Sequence, residues 1–484
     1  MKYIKDNLKG TRLPLVLLIT ILAGFAIYYI VYVVQMVPVQ HQLTDDEGVF
    51  WYIARQAGHG FPIYKDVNIL PYISFNFPPV YPYLVGVLIR IFGSCLEVGR
   101  LVSVFSFFVT CFLIYKIVNL LTRKKLVSIL AGMLPFAVWF FTYWSVTFRS
   151  DMLGIPITLL GVYMVLRWEK SKKLLWSIPI FALAIFTKQS LISAPIAVSI
   201  YLLLKNRKLG IQFIIGLGVL VSVLVVILEV TTNGYFLKSI LESVSSPHSL
   251  YSWEQVAKFT LFYGVSPIIL ALSLVYLVIK KREPGLLGIY FLISLVVLIY
   301  SASKAGAWVH YSLELVAVGS ILLGLLLSEL YSKTTSRKGI NVFCSVLIVI
   351  IFFGFTNIGY MNYRPYGDSG STYSKLSQYI KSTTGPILAD DETLLMVNGR
   401  DPVWEPTSLV QCGLSKRGWN QSPIIDNLES RTYPLVIMEF NISSDWQNSS
   451  MFEKQRITPE IATSIMSNYK LEDTVGRYWV YVPS

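Results

Sequence analysis

Long apolar stretches recur along this chain and constrain its fold more than any other feature. Several uncharged runs reach the roughly 18–20 residues needed to cross about 30 Å of hydrocarbon. The chain has 484 residues, of which 54% are hydrophobic and 14% are charged, and few soluble folds could bury that much apolar surface. The first run, 13–38, is too long for the core of a signal peptide, and no small-residue cleavage site follows it. We therefore predict an α-helical, polytopic membrane protein that retains its first helix.

The net charge of +13 comes largely from short basic clusters between the apolar runs. Cytoplasmic loops carry an excess of Lys and Arg near the ends of spans. This pattern predicts a multi-pass protein of the plasma membrane with a cytoplasmic N-terminus. It indicates acidic membrane lipids, and no nucleic acid, as partners of the basic residues. The six clusters lie at 2–12, 123–125, 167–173, 205–208, 280–282 and 333–338.

One topology with about 11 transmembrane helices places all six clusters in the cytoplasm. After the first helix it has an external loop over 39–98, which includes a short, proline-initiated apolar segment at 75–93 that we expect to lie in the interface. The remaining spans are predicted near 100–121, 126–146, 150–167, 174–187, 190–204, 209–230, 258–279, 284–301, 311–331 and 339–360. Residues 174–204 could also form one long helix, but every later basic cluster would then lie outside. Two short helices are therefore predicted, with Lys188 at their external junction.

The composition changes after Tyr360, which divides the chain into a transmembrane catalytic domain, 1–360, and a small extracytoplasmic α/β domain, 361–484. The second part mixes polar and apolar residues and contains many turn residues. We predict helices near 373–383 and 459–468. Short β-like runs predict strands at 386–390, 393–397, 434–440 and 478–482.

Ionisable residues outside the basic clusters collect on the external face under this topology. Transporters place such groups near the membrane midplane, on interrupted helices, so the distribution favours chemistry at one surface. Asp46 and Glu47 form a pair of carboxylates of the kind that provides a general base. Arg149 and Lys188 are suited to holding a phosphate near the bilayer surface while a lipid tail occupies a groove between helices.

The order of these features resembles that of the GT-C glycosyltransferases, especially the family 39 type that includes protein O-mannosyltransferases and the lipid A aminoarabinose transferase. The resemblance covers about 13–331 and depends on six stretches in combination. They are DEGVFWYIA (46–54), FPPVYPYLVGVLIRIFG (77–93), GRLVS (99–103), RSDMLGI (149–155), FTKQS (186–190) and KAGAWVHYSLEL (304–315).

The resemblance implies transfer of a sugar from a polyprenyl-phosphate carrier to an acceptor hydroxyl on the outer face, with inversion at the anomeric carbon. The acceptor could be a protein, a glycan or a lipid. Asp46 would be the general base, and Glu47 would order the site or the donor. The donor phosphate would be held by Arg149, Lys188 and Lys304. The residues expected to line the cavity are Asp45, Arg100, Asp151, His310, Tyr311 and Glu314.

A divalent metal is used by some members of this family and not required by others. Glu47 and His310 are its candidate ligands here, although no tight ligand spacing demands a metal. Related enzymes carry a Glu before the proline pair, where this chain has Asn76. This chain therefore lacks one of the residues of the metal site found in those related enzymes.

Other interpretations of the same residues stay open at the level of sequence. Asp46 and Glu47 could simply favour the N-terminus of an interfacial helix, and Arg149 and Asp151 could form a structural ion pair. A transporter or flippase of lipid-linked sugars would keep the cations without depending on Asp46 for chemistry. A non-catalytic membrane scaffold would tolerate the loss of all these polar residues.

Overall fold

The computed structural model describes most of the chain, and everything below refers to that part. The described residues are 20–279, 285–333, 369–411, 413–414, 418–442 and 456–484, together with 339, 342, 343, 346, 349 and 350. Most of the predicted last span, 339–360, lies outside the described residues.

Helices dominate the first two thirds of the chain. Three of them are long and apolar enough to cross a membrane, namely Leu96–Thr122, Arg207–Thr231 and Val309–Ser332, and a bent pair would make a fourth. The total of 11 spans stays a prediction. The α-helices are α1 (Thr20–Met36), α2 (Glu47–His59), α3 (Val80–Phe92), α4 (Leu96–Thr122), α5 (Lys125–Met133), α6 (Trp139–Trp144), α7 (Asp151–Arg167), α8 (Ser177–Ile185), α9 (Ser193–Lys205), α10 (Arg207–Thr231), α11 (Tyr235–Val244), α12 (Leu250–Leu261), α13 (Ser266–Ile279), α14 (Leu286–Ala302) and α15 (Leu313–Ser332).

The short hairpin predicted over 174–204 is confirmed. Helix α8 ends at Ile185 and α9 begins at Ser193, so Lys188 lies in the non-helical junction between them. The junction is fastened to the first loop by two hydrogen bonds. The backbone N–H of Val80 donates to the carbonyl of Phe186 at 3.0 Å, and the side chain of Gln189 donates to the carbonyl of Asn76 at 3.0 Å.

Two of the predicted spans are broken. The segment predicted at 126–146 divides into α5, a 3-10 turn at Leu134–Ala137 that contains Pro135, and the aromatic helix α6. Proline has no N–H to continue an α-helical ladder, which explains the change at this point. The segment predicted at 258–279 bends by 79° between α12 and α13, where Gly264 has φ +71°. A residue in the left-handed region ends a helix, and glycine adopts it without a Cβ penalty.

In its described residues, the C-terminal part forms a four-stranded sheet in the order β1-β2-β4-β3 and four α-helices. Strands β1 and β2 are parallel, whereas β2–β4 and β3–β4 are antiparallel. The strands are β1 (Ile387–Ala389), β2 (Leu435–Met438), β3 (Tyr469–Val475) and β4 (Tyr478–Pro483), and the helices are α16 (Ser369–Ser382), α17 (Glu392–Val397), α18 (Ser422–Glu429) and α19 (Pro459–Asn468).

Three of the four predicted strands are confirmed, and the one at 393–397 is wrong. That segment is helix α17, because the side chain of Asp391 accepts a hydrogen bond from the N–H of Leu394 at 3.0 Å and caps it. Both predicted helices are confirmed near 369–382 and 459–468. Strand β3 was missed because its exposed polar residues hide the alternation that marks a strand.

The C-terminal domain is packed directly on the first loop. A Cβ built on Gly48 of α2 would lie 2.3 Å from the backbone nitrogen of Thr393, so only a glycine permits this contact. At a second point, the N–H of Tyr72 donates to the carbonyl of Val403 at 2.8 Å, and the N–H of Glu405 donates to the carbonyl of Tyr72 at 3.0 Å. These contacts place part of the C-terminal domain beside the polar residues that follow α1.

Candidate active site

Asp46 lies immediately before helix α2, and its carboxylate makes an ion pair with the guanidinium of Arg149. The side chain of Asp46 keeps 20% of its surface exposed, so solvent or a ligand can reach it. Arg149 lies just before α7 and stacks over the ring of Phe50, 5.4 Å from the ring centre. The pairing orients the carboxylate of Asp46 without burying it.

A chain of ion pairs continues from Arg149 into the protein. The Nε of Arg149 lies 3.1 Å from an Asp151 carboxylate oxygen, and the ammonium of Lys188 pairs with the other oxygen of Asp151. The Nε2 of His310 lies 3.7 Å from the same carboxylate. Arg149 and Lys188 carry more N–H donors than these contacts use, because a guanidinium has five and an ammonium has three. The arrangement holds two cations in fixed positions with donors left for an anion.

These residues border an open cavity with a volume of about 450 Å³. Its walls come from the first loop, the α8–α9 junction, the segment around α14 and α15, and the C-terminal domain. The residues that line it and bear on the chemistry are Asp46, Phe50, Ser74, Phe75, Asn76, Phe77, Arg149, Lys188, Gln189, Ile192, Val296, Val297, Tyr300, Lys304, His310, Tyr311, Glu405, Thr407 and Ser408.

A small pocket of about 20 Å³ adjoins the main cavity and shares Lys188, His310 and Tyr311 with it. Glu314 and Asp151 line this inner pocket. The carboxylate of Glu314 accepts hydrogen bonds from the hydroxyls of Ser193 at 2.9 Å and Tyr290 at 3.0 Å.

Eight of the eleven residues expected in the site surround these two cavities. Six line the main cavity, and Asp151 and Glu314 line the inner pocket. The six are Asp46, Arg149, Lys188, Lys304, His310 and Tyr311.

Glu47 and Arg100 do not line either cavity, so the expectation that Arg100 lines the cavity is wrong, and Glu47 can order the site only from within the protein interior. The two side chains form a fully buried pair with contacts of 3.0 and 2.8 Å. Glu47 also accepts hydrogen bonds of 2.6 Å from the N–H groups of Leu43 and Phe148. All four contacts hold backbone and side chain in place, so Glu47 supports the loop on either side of Asp46 and the segment before Arg149.

Asp45 is also placed differently from the expectation. Its carboxylate pairs with Arg456 of the C-terminal domain at 2.5 Å, outside the main cavity. Arg456 also pairs with Glu439, the residue after strand β2, at 3.2 Å. Asp45 therefore joins the first loop to the C-terminal domain.

The main cavity has a wall that sequence reasoning missed, formed by Glu405, Thr407 and Ser408. Glu405 is 2% exposed, and both of its carboxylate oxygens accept a hydrogen bond from the N–H of Ser408, at 2.8 and 2.9 Å. Burial, followed by the negative charge of Asp46, raises the pKa of Glu405 to about 8. No local pattern in the sequence marks this residue, since only the packing of two domains brings it to Asp46.

The residues present do not fit a divalent metal site. Glu47 uses its carboxylate oxygens on Arg100 and two backbone N–H groups, while His310 lies by Asp151 in a different place. Within the part of the chain that the structure describes, no group of three or more His, Cys, Asp or Glu side chains is arranged to hold a metal ion. The cavity is lined by Arg149, Lys188 and Lys304, whose positive charges would repel a metal cation.

Comparisons with known proteins agree with the fold and with the resemblance seen in the sequence. Residues 76–231 match the family model described as dolichyl-phosphate-mannose-protein mannosyltransferase. No curated protein sequence matches the chain.

Two solved structures share the fold over nearly the whole chain. ArnT from Cupriavidus metallidurans, solved with undecaprenyl phosphate bound, has a TM-score of 0.62 and 14% identity, and the match covers 95% of this chain and 98% of that one. The oligosaccharyltransferase AglB from Archaeoglobus fulgidus, solved with an inhibitory peptide and a dolichol-phosphate, has a TM-score of 0.59 and 12% identity. That match covers 96% of this chain and 74% of AglB. Likenesses at these identities establish that this chain shares the fold of the two proteins.

Proposed function

We propose that this chain, which shares the GT-C fold, transfers a hexosyl or pentosyl group from a polyprenyl-phosphate carrier to an acceptor hydroxyl. The observation that carries the proposal is the meeting of a partly exposed carboxylate, Asp46, and three cations in one open cavity. The family match over 76–231 and the polyprenyl phosphate ligands of ArnT and AglB support the same chemistry. The positive-inside pattern of the loops supports an extracytoplasmic site.

In the proposed reaction Asp46 takes the proton of the acceptor hydroxyl as its oxygen bonds to the anomeric carbon. The bond between that carbon and the phosphate oxygen breaks, and its electron pair leaves with the polyprenyl phosphate. Attack from the face opposite the phosphate inverts the anomeric centre. Arg149 contributes by orienting the carboxylate of Asp46, to which it is bonded. Negative charge develops on the leaving phosphate during the reaction. The N–H donors proposed to meet it are held in fixed positions, and this lowers the barrier because they need not reorganise.

The donor is proposed to bind where the helical part of the chain lines the cavity. Lys188, Arg149 and Lys304 provide N–H donors for its phosphate. Apolar side chains of α14 and the α8–α9 junction, among them Val296, Val297 and Ile192, line the same cavity and suit a prenyl chain. The headgroup and the tail of a lipid phosphate thus find matching surfaces.

We expect Lys304→Met to weaken binding of polyprenyl phosphate by about tenfold, the loss of one charge-assisted hydrogen bond. Methionine keeps most of the apolar stem of the side chain and removes the ammonium, which lies 5.6 Å from the centre of the Tyr300 ring. Affinity is measured by titration of the protein in lipid nanodiscs. Lys173→Met removes an exposed lysine after α7 and serves as the matched control. Equal affinity of the two variants would remove Lys304 from the proposed donor site.

The function itself is tested with the whole chain in nanodiscs and a panel of radiolabelled polyprenyl-phosphate sugars. We expect release of free polyprenyl phosphate together with transfer of the label to an acceptor. Donor binding without any turnover, in the presence of candidate acceptors, would instead indicate a transporter of lipid-linked sugars. No binding of any donor would contradict both functions and leave a scaffold.

A further inference from the structure

The main cavity is lined by two parts of the chain that differ in chemistry. Lys188 and Lys304 come from the helical part, at the α8–α9 junction and just after α14, whereas Glu405, Thr407 and Ser408 come from the C-terminal domain. A phosphate is attracted to the two lysines and finds no cation among the three residues of the C-terminal domain. Asp46 belongs to the cavity as well, and its interaction with Glu405 is strong enough to affect the titration of that residue.

The C-terminal side of the cavity is rigidly held. The parallel bridge between Tyr72 and Trp404 ties it to the first loop, through hydrogen bonds of 2.8 and 3.0 Å. Trp404 is fully buried and donates its indole N–H to the carbonyl of Ala389 at 2.9 Å. Side chains whose own positions are fixed by packing can recognise a ligand at low entropic cost.

We propose that Glu405, Thr407 and Ser408, together with Ser74 of the first loop, form the acceptor subsite of the reaction and that it takes an uncharged saccharide. This inference rests on the proposed function, since it assigns the second substrate of that reaction. A saccharide placed here contacts the C-terminal domain in the same cavity that holds Asp46 and the cations proposed for the donor phosphate.

The chemistry of this wall suits several neighbouring hydroxyl groups at once. The carboxyl of Glu405 accepts the N–H of Ser408 and is also hydrogen-bonded to the hydroxyls of Ser408 and Thr407. The three side chains therefore form one connected group, and a hydroxyl that donates within it can still accept from a sugar hydroxyl. Its raised pKa leaves the carboxyl mostly protonated at neutral pH, which adds an O–H donor and limits repulsion with Asp46. A sugar hydroxyl both donates and accepts, and the hydroxyls of Thr407 and Ser408 do the same.

Aromatic rings border the same space and match the apolar faces of a sugar ring. Phe50 and Phe77 lie with their ring centres 4.8 Å apart, and Phe75 lies 5.7 Å from Phe77. All three line the cavity. Several polar groups and several rings in one cavity suit the hydroxyls and apolar faces of a saccharide, whereas a lone Ser or Thr hydroxyl of a peptide would use only one of these partners.

The test uses an array of immobilised oligosaccharides and Ser/Thr-containing peptides, probed with the full chain in labelled nanodiscs. We expect the native chain to bind saccharides. Glu405→Ala should bind them at least about tenfold more weakly, while Glu405→Gln keeps binding within about threefold because the amide reproduces a protonated carboxyl. Glu429→Ala, which removes an exposed carboxylate of the same domain, should bind like the native chain.

Several results would overturn the subsite. They are binding to peptides in place of saccharides, no binding to any saccharide, or equal binding by Glu405→Ala and the native chain. If Glu405→Ala does not fold, Thr407→Val decides, because loss of one hydroxyl should weaken binding and native-like binding would reject the proposal. The array needs no turnover. A chain that binds saccharides without consuming donor therefore contradicts only the proposed reaction, and one that consumes donor but binds no saccharide contradicts only the subsite.

Discussion

Asp46→Asn is expected to lower the rate of sugar transfer by a factor of about 10²–10⁴, the usual contribution of a positioned general base. Asparagine keeps the shape of the side chain and can still meet Arg149, but it cannot take the acceptor proton. Donor affinity should change much less, since the proposed phosphate ligands are untouched. The measurement compares release of polyprenyl phosphate and equilibrium donor binding in the same nanodisc preparation.

Asp45→Asn is the matched control for this variant. It removes the adjacent carboxylate, which pairs with Arg456 and does not line the cavity. Transfer by Asp45→Asn should remain within a few-fold of the native rate. A similar loss in both variants would show that negative charge or loop structure, and not a base at position 46, accounts for the effect.

Glu47→Ala is expected to destabilise the protein by about 3–5 kcal/mol, because it leaves the buried charge of Arg100 without its partner. The loss extends further, since the N–H groups of Leu43 and Phe148 also lose their acceptor. Phe148 immediately precedes Arg149, so the surviving folded protein should also be less active. Thermal unfolding in nanodiscs, followed by intrinsic tryptophan fluorescence, should show a markedly lower midpoint.

The double variant Glu47→Met with Arg100→Leu provides the internal control. Replacing both members of a buried ion pair by apolar residues is often far less costly than removing one. We expect the double variant to recover part of the lost midpoint. The recovery should be incomplete, because Arg100 also donates to the carbonyls of Met36, Val37 and Val39 at the end of α1. A Glu47→Ala protein as stable as the native chain would refute the structural role.

Periodicity and charge in the sequence predicted much of the helical part correctly. The α8–α9 hairpin follows from the positive-inside pattern, since a single helix would have inverted every later loop. The break at Pro135 was visible in the sequence but was passed over, because the run around it is apolar throughout. An apolar run was likewise taken as the deciding signal at 393–397, where a strand was predicted. The segment is a helix, which the side chain of Asp391 caps at its N-terminus.

The site could be predicted where its residues begin or interrupt apolar segments. Asp46, Arg149 and Lys188 stand out because a charged residue next to a span needs a partner or a function. Neighbours in sequence, however, face different ways where a turn leads into a helix, as at the start of α2. Asp45, Asp46 and Glu47 point to the C-terminal domain, the cavity and the interior respectively, and this division depends on packing that no local pattern encodes. Glu405 escaped notice for the same reason.

The contact of Gly48 with Thr393, and the bridge between Tyr72 and Trp404, bear on how such a protein can be recombined. A chimera that exchanges only the C-terminal domain with a relative would bring together contact surfaces from two different proteins, whose close backbone contacts need not match. Exchanging the segment between α1 and α4 together with that domain would transfer both of the surfaces that form these contacts. The unit that has to be exchanged as a whole is therefore discontinuous along the chain. Its two parts, the segment between α1 and α4 and the C-terminal domain, are separated in sequence by the intervening helices.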